Sequence, residues 1–287
     1  MYNLSDIGTV KTLLEKHGFT FSKSLGQNFL INPEVCPEMA RQAISGENDG
    51  VIEIGAGVGV LTAELCKRAK KVVSVELDKR LLPVLDETLG EFDNFEVVNE
   101  DILKVDLHRL IEEKFSDCES VSVCANLPYY ITSPVIMKLL EDKLPVKQII
   151  VMVQREAADR LTAPVGSRES GAITVAVNYY AEAEKLFNVS KGSFVPSPKV
   201  DSAVIKLTVC QKPPIEVADE ELFFKTVKAM FMQRRKTALN SVSSGLSVSK
   251  DTVARALDAT GLDINIRAEK LTLSQLCEFT NNLKEVM

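Results

Sequence analysis

The chain has no tryptophan and only two histidines, His17 and His108. Imidazole-based proton transfer and histidine-ligated zinc therefore have almost nothing to work with. Its six cysteines, Cys36, Cys66, Cys118, Cys124, Cys210 and Cys277, are scattered and include no C-x-x-C pair. Such spacing predicts reduced thiols in a cytoplasmic protein, and neither a disulfide framework nor a metal site. No run of about 18 apolar residues occurs, which predicts no membrane span. Residues 1–10 lack both the charged start and the apolar centre of a signal peptide. Positive charge is also in deficit, with 34 Lys and Arg against 40 Asp and Glu for a net charge of −6. That excludes indiscriminate nucleic-acid binding but leaves room for a local basic face.

The 287 residues, 45% of them hydrophobic, suffice for one large or two modest domains. Apolar residues recur at helical spacing over 4–17, with Gly18 as the stop. Asn32-Pro33 predicts a helix start with proline at its first position, running to about residue 44. Short apolar runs then predict strands at 51–54, 72–76, 95–98, 121–125 and 148–153. Helical patterns fall between and after them, at about 60–69, 79–89, 107–115, 134–140 and 154–161. This alternation predicts an α/β fold with a mostly parallel sheet covered on both faces. Runs at 183–189 and 203–209 bring the sheet to seven strands. Lys212-Pro213-Pro214 reads as a linker, followed only by helical patterns at about 221–242, 249–260 and 272–284. The expected division is an α/β domain over 1–210 and a small all-helical domain over 211–287.

Open parallel sheets bind ligands outside the carboxyl ends of their strands. Gly55, Glu76, Asp101 and Asn126 all fall at such ends. Gly55-Ala56-Gly57-Val58-Gly59 forms a turn between strand and helix, and Glu76 follows Gly55 by 21 residues. Glycines let the backbone approach a ligand, and the acid can accept from both ribose hydroxyls. Asp101 could accept from an exocyclic amine, or be a solvated turn residue. Nicotinamide, flavin and S-adenosylmethionine proteins all use this geometry, so the glycines alone do not choose among them.

The stretch Cys124-Ala125-Asn126-Leu127-Pro128-Tyr129-Tyr130 narrows the choice. A strand end followed by an amide, a proline turn and an aromatic ring suits a planar nucleophile that carries an amino group. Asn126 and a neighbouring backbone carbonyl can accept the two amine protons while Tyr129 stacks on the ring. Such acceptors favour a pyramidal nitrogen with its lone pair on the electrophile, so they act mainly in the transition state. The same residues also describe a simple strand end capped by asparagine. Phe194 precedes a proline-punctuated connection and is a candidate for the second face of the base. Gln233-Arg234-Arg235-Lys236, after the apolar Met230-Phe231-Met232, is either a solvated helix face or a phosphate-contact patch.

Seven short pieces in order resemble the small-subunit ribosomal RNA adenine dimethyltransferases, the kasugamycin-resistance family, over nearly the full length. They are Leu25-Gly26-Gln27-Asn28-Phe29-Leu30, Glu53-Ile54-Gly55-Ala56-Gly57, Glu76-Leu77-Asp78, Glu100-Asp101, Asn126-Leu127-Pro128-Tyr129-Tyr130, residues 194–202, and residues 231–237. Ala56 stands where many members have proline. The resemblance implies a Rossmann-like, S-adenosylmethionine-dependent methyltransferase sheet with a small C-terminal helical domain. It implies a donor site at Gln27, Asn28, Leu30, Gly55, Gly57, Glu76, Leu77, Asp101, Ile102 and Asn126. Catalysis would fall to Asn126, Leu127, Pro128, Tyr129 and Phe194, and RNA contact to Lys199, Arg234, Arg235 and Lys236.

The implied reaction gives two methyls to N6 of each of two adjacent adenines near the 3′ end of small-subunit rRNA. The implied partner is a small-subunit assembly intermediate, met by a cytoplasmic monomer without a metal. Transfer is expected to be direct and in line, with no covalent intermediate, so that catalysis is mostly positioning. Three rivals share parts of this pattern. A large-subunit rRNA dimethyltransferase of antibiotic resistance has the same core, but Leu127 and the 233–237 run speak against it. A non-catalytic RNA-binding assembly or transcription factor would not need an intact Asn126-to-Tyr129 motif. A nicotinamide-dependent dehydrogenase leaves residues 126–130 unexplained.

Overall fold

The computed structural model describes residues 2–19, 28–233 and 235–287. By internal contacts the chain forms two compact units, Met1–Ala158 with Glu184–Val209, and Asp159–Ala183 with Cys210–Met287. The second unit thus takes in Asp159–Ala183, which the expected boundary at 210 assigned to the first. That insertion is invisible as a linker because it begins and ends inside regular elements. Among the described residues no helix is long and apolar enough to cross a membrane.

The first unit opens with α1 (Ile7–Lys16), N-capped by Asp6 through the Thr9 amide. Its apolar face of Val10, Leu13 and Leu14 joins Phe19, Phe29, Val58, Leu81 and Val84 in one buried cluster. β1 (Phe29–Leu30) follows, then α2 (Val35–Ala43). The helix begins two residues later than Pro33, because Asn32 Oδ1 accepts from the Glu34 amide at 3.0 Å and closes a turn of its own. The alternation then runs β2 (Gly50–Ile54), α3 (Val60–Cys66), β3 (Lys71–Val75), α4 (Leu82–Leu89), β4 (Phe95–Val98), α5 (Leu107–Lys114), β5 (Val121–Asn126), α6 (Thr132–Glu141) and β6 (Gln148–Gln154). A 3₁₀ turn at Lys79–Leu81 precedes α4, where Pro83 is tolerated in the first turn because its missing amide has no partner to lose.

After α7 (Arg155–Leu161) and α8 (Ala172–Tyr180) come β7 (Ala181–Val189), β8 (Phe194–Val195) and β9 (Ser202–Val209). The seven-stranded sheet has the order β4-β3-β2-β5-β6-β9-β7. β2 pairs in parallel with both β3 and β5, β3 with β4, and β5 with β6, whereas β9 runs antiparallel to β6. The order reverses between β2 and β5, and that switch point is where a doubly wound sheet opens a crevice. Register aligns the strand ends there, with Ile54 opposite both Val75 and Ala125, and Val75 opposite Val98. One face of the sheet is sealed by α2 and α3, whose Cys36, Met39, Ala40 and Leu65 are buried against Val51, Cys124 and Ile150. Separately, β1 pairs antiparallel with β8, so that Leu30 lies opposite Phe194.

The second unit holds α9 (Glu220–Met232), α10 (Ala238–Leu246), α11 (Lys250–Ala259) and α12 (Leu273–Val286) with the 159–183 segment. Its core includes a cluster of Tyr179, Tyr180, Phe223 and Phe224 rings with centroids 5.0–5.4 Å apart. The single helix expected over 221–242 is broken in two. Gln233 leaves helical geometry at φ −129° and ψ 76°, and Thr237 caps the new helix through the Asn240 amide. Gln233, Arg235 and Lys236 therefore lie at a helix break and not on a helix face. Thr272 and Gln275 form a capping box at the start of α12, and Gly261 follows α11 at φ +68°.

Candidate active site

A cavity of roughly 330 Å³ opens at the switch point of the first unit. Asn28, Leu30, Gly55, Gly57, Glu76, Leu77, Asp101, Ile102, Asn126, Leu127, Pro128, Tyr129 and Phe194 all line it. The fold thus brings together every sequence-predicted donor and catalytic residue that lies within the described part. Gln27 and Arg234 lie outside the described residues. Lys199 is exposed and off the cavity wall, and Arg235 and Lys236 are exposed in the second unit.

The floor is the glycine turn. Gly55, Gly57 and Gly59 all have positive φ, at +79°, +60° and +91°. A Cβ on Gly55 would meet nothing within 4 Å, so the backbone faces open cavity there. Glu76 directly follows β3 and is 6% exposed. Its carboxylate accepts from the Gly57 amide at 3.1 Å and the Asp78 amide at 2.8 Å. Burial pushes it above the ordinary glutamate range, an effect that those two amides partly offset. Beneath the turn, Glu53 is fully buried and accepts from Thr62 Oγ1 at 2.7 Å and from Ser74 Oγ. Desolvation raises it to about 7, with the nearby Glu76 charge adding to the shift. Asp101 turns the chain after β4 by accepting from the Leu103 amide at 3.0 Å.

The opposite wall is the end of β5 and its proline turn. Asn126 is opposite Met152, and the Leu127 amide donates to the Met152 carbonyl at 3.2 Å, so the turn is moored to β6. The Pro128 carbonyl accepts from the Ile131 amide at 3.1 Å and from Thr132 Oγ1 at 3.5 Å. Among the described residues neither the Asn126 amide nor the Leu127 carbonyl is engaged. Of the two backbone carbonyls that follow Asn126, Pro128's is engaged and Leu127's is open among the described residues. The Tyr129 hydroxyl meets Ser202 Oγ on β9 at 2.9 Å, and burial pushes its pKa up. Phe194 is buried at 3% exposure and is carried to the cavity by its pairing with Leu30.

The cavity thus sets a glycine turn tipped by the Glu76 carboxylate opposite two acceptors that are unengaged among the described residues. A model of the ribosomal RNA adenine dimethylases matches residues 18–285. The chain belongs to the ribosomal RNA adenine dimethylase family. It is an S-adenosylmethionine-dependent rRNA adenine methyltransferase on a Rossmann-like sheet. Among similar proteins, the ribosomal RNA small subunit methyltransferase A of Bacillus licheniformis is 47% identical over 98% of this chain and 99% of that protein. The protein of the same name from Geobacillus thermodenitrificans is 48% identical over 96% and 95%. A dimethyladenosine transferase crystal structure from Plasmodium falciparum superposes with a TM-score of 0.72 at 25% identity, over 90% of this chain and 98% of that one. The 23S rRNA methyltransferase ErmE follows at 0.66 and 28%, over 90% and 100%.

Cys36, Met39, Leu103 and Tyr130 also line the cavity and had no role in the sequence reading. Leu103 carried a usable signal, since an aspartate two residues earlier at a strand end forms such turns. Cys36 and Met39 had none, because only the packing of α2 across the sheet brings them there. Tyr130 lay within the motif but was overshadowed by its neighbour.

Proposed function

We propose that this protein dimethylates N6 of two adjacent adenines near the 3′ end of small-subunit rRNA. It acts in the cytoplasm, as a monomer, on an assembly intermediate of the small subunit. The observation that carries this reading is the pair of unengaged acceptors, the Asn126 amide and the Leu127 carbonyl, opening into the same cavity as Gly55, Glu76 and Asp101. The small-subunit target is supported by relatives of that name at 47–48% identity, against 28% for the large-subunit enzyme.

Gly55 and Gly57 offer backbone to the methyl donor, Glu76 accepts from its ribose, and Asp101 with Leu77 and Ile102 surrounds its adenine. Asn28 and Leu30 close the site from the β1 side, with Gln27 preceding them. When bound, S-adenosylmethionine supplies a methyl group on a positively charged sulfur that leaves as a neutral thioether. Asn126 and Leu127 accept from the target amine, which is otherwise a poor nucleophile because its lone pair is delocalised. Pro128 shapes the turn that holds both acceptors. Tyr129 and Phe194 provide apolar faces that replace the stacking lost when the base leaves its helix. Methylation makes the amine strongly acidic, so no dedicated base is required. Lys199, Arg234, Arg235 and Lys236 contact phosphates, which positions the substrate without reading its sequence. The two units serve as a catalytic domain and a helical, RNA-contacting domain.

Mass spectrometry of rRNA from cells lacking the protein tests the reading. The two dimethylated adenines should vanish from the small-subunit rRNA and return with the wild-type gene. Loss from large-subunit rRNA, or no loss, would overturn it.

A further inference from the structure

Tyr129 and Tyr130 are consecutive on one 3₁₀ turn, Tyr129–Ile131, yet they are held in opposite ways. Tyr129 is half-buried, with its hydroxyl fixed on Ser202 at 2.9 Å. Tyr130 is 56% exposed while still lining the cavity mouth, and among the described residues its side chain makes no hydrogen bond. An exposed aromatic ring beside the cavity offers a free face on which a nucleobase can stack.

We infer that Tyr130 is the stacking platform for the nucleotide next to the adenine being methylated. This deepens the proposed function and rests on it. The cavity, at roughly 330 Å³, is at the low end for ligand sites. It must take the methyl donor as well as one purine, so a second base has to stay outside. Drawing one adenine out of its stack uncovers a face of its neighbour, and that loss opposes the extrusion. An aromatic ring at the mouth covers that face. Consecutive Cα atoms lie about 3.8 Å apart, so the two tyrosine rings start from points that adjacent nucleotides of one strand can span. Every base has a π-face, so the platform accepts whichever neighbour each of the two target adenines presents. Tyr129 then grips the target and Tyr130 holds the strand beside it.

The test uses Tyr130→Ala and Tyr130→Phe in the full-length protein. The substrate is small ribosomal subunits purified from cells lacking the enzyme, with radiolabelled S-adenosylmethionine as donor. Tyr130→Ala should raise KM for the subunits roughly ten-fold or more, from the usual worth of one base–aromatic stack. Its Tm and its affinity for S-adenosylmethionine should match wild type, because the ring is exposed. Tyr130→Phe should restore KM, since stacking needs the ring and not the hydroxyl. The inference fails if Tyr130→Ala keeps KM within two-fold, if phenylalanine is as impaired as alanine, or if the defect lies in donor affinity. Wild-type protein that labels no subunits would instead sink the proposed function itself.

Discussion

Replacing Gly55 by alanine separates folding from donor binding more cleanly than any other change at the site. Gly55 has φ +79°, and an added Cβ would find no atom within 4 Å. An L-residue in that left-handed conformation costs about 1–2 kcal/mol, and no steric clash adds to it. At about 2–4 °C per kcal/mol for a domain of 150–250 residues, Gly55→Ala should melt roughly 2–8 °C lower and remain folded. On the proposed placement of the donor, the new methyl nevertheless stands where the backbone meets it. Affinity for S-adenosylmethionine should therefore fall by about two orders of magnitude, a loss of roughly 3 kcal/mol. Gly57→Ala is the contrasting variant, because its Cβ would lie 3.3 Å from Phe29 Cε1 and press on the core beneath the turn. Calorimetric melting and titration calorimetry with S-adenosylmethionine read both effects. Binding by Gly55→Ala within about three-fold of wild type would refute the placement of the donor on this turn. A melting loss far above that range would refute the claim that the position faces open space.

Three further experiments probe other parts of the account. Burial raises Glu53 from its ordinary 4.5 to about 7, so its contribution to stability is fully present below about 4.5 and is lost as pH rises through about 7, by at most about 3 kcal/mol. Wild-type stability to urea should fall across that window, and fall less in Glu53→Gln, where Glu76, also raised by burial, remains; a slope unchanged by Glu53→Gln would contradict the assignment. Tyr129→Phe loses only the hydrogen bond to Ser202 and should lower kcat/KM less than about ten-fold, because the ring still stacks, whereas Tyr129→Ala should lose at least about ten-fold more. Equal losses in methyl-transfer assays would mean that the hydroxyl matters and stacking does not. Arg235→Ala with Lys236→Ala should reduce the slope of log affinity for small subunits against log salt by about 1 per residue, and an unchanged slope would make the helix break purely structural.

The central strands were legible because they are buried on both faces and read as near-continuous apolar runs, such as Val121 to Ala125 and Ile149 to Val153. The convergence of Gly55, Glu76, Asp101 and Asn126 on one cavity was legible for a related reason, since parallel pairing brings these strand ends to one edge whatever the helices do. What stayed hidden depended on tertiary packing. The helical spacing of apolar residues continues through Gln233, and nothing local announces that Thr237 will cap a second helix. The grouping of residues 159–183 with the C-terminal helices rests on Tyr179 and Tyr180 meeting Phe223 and Phe224, contacts between segments too far apart for any periodicity to register. The short β1–β8 pair that carries Phe194 to Leu30 was missed because two-residue strands leave no pattern.

The most direct test of the central claim is single-turnover methyl transfer to unmodified small subunits by Asn126→Ala. Asn126 is held at the end of β5 with its amide unengaged among the described residues, and its removal should slow transfer by about 10²–10³-fold, with subunit binding little changed and donor affinity reduced far less than the rate. Transfer at a near-normal rate by a protein lacking that amide would contradict the account.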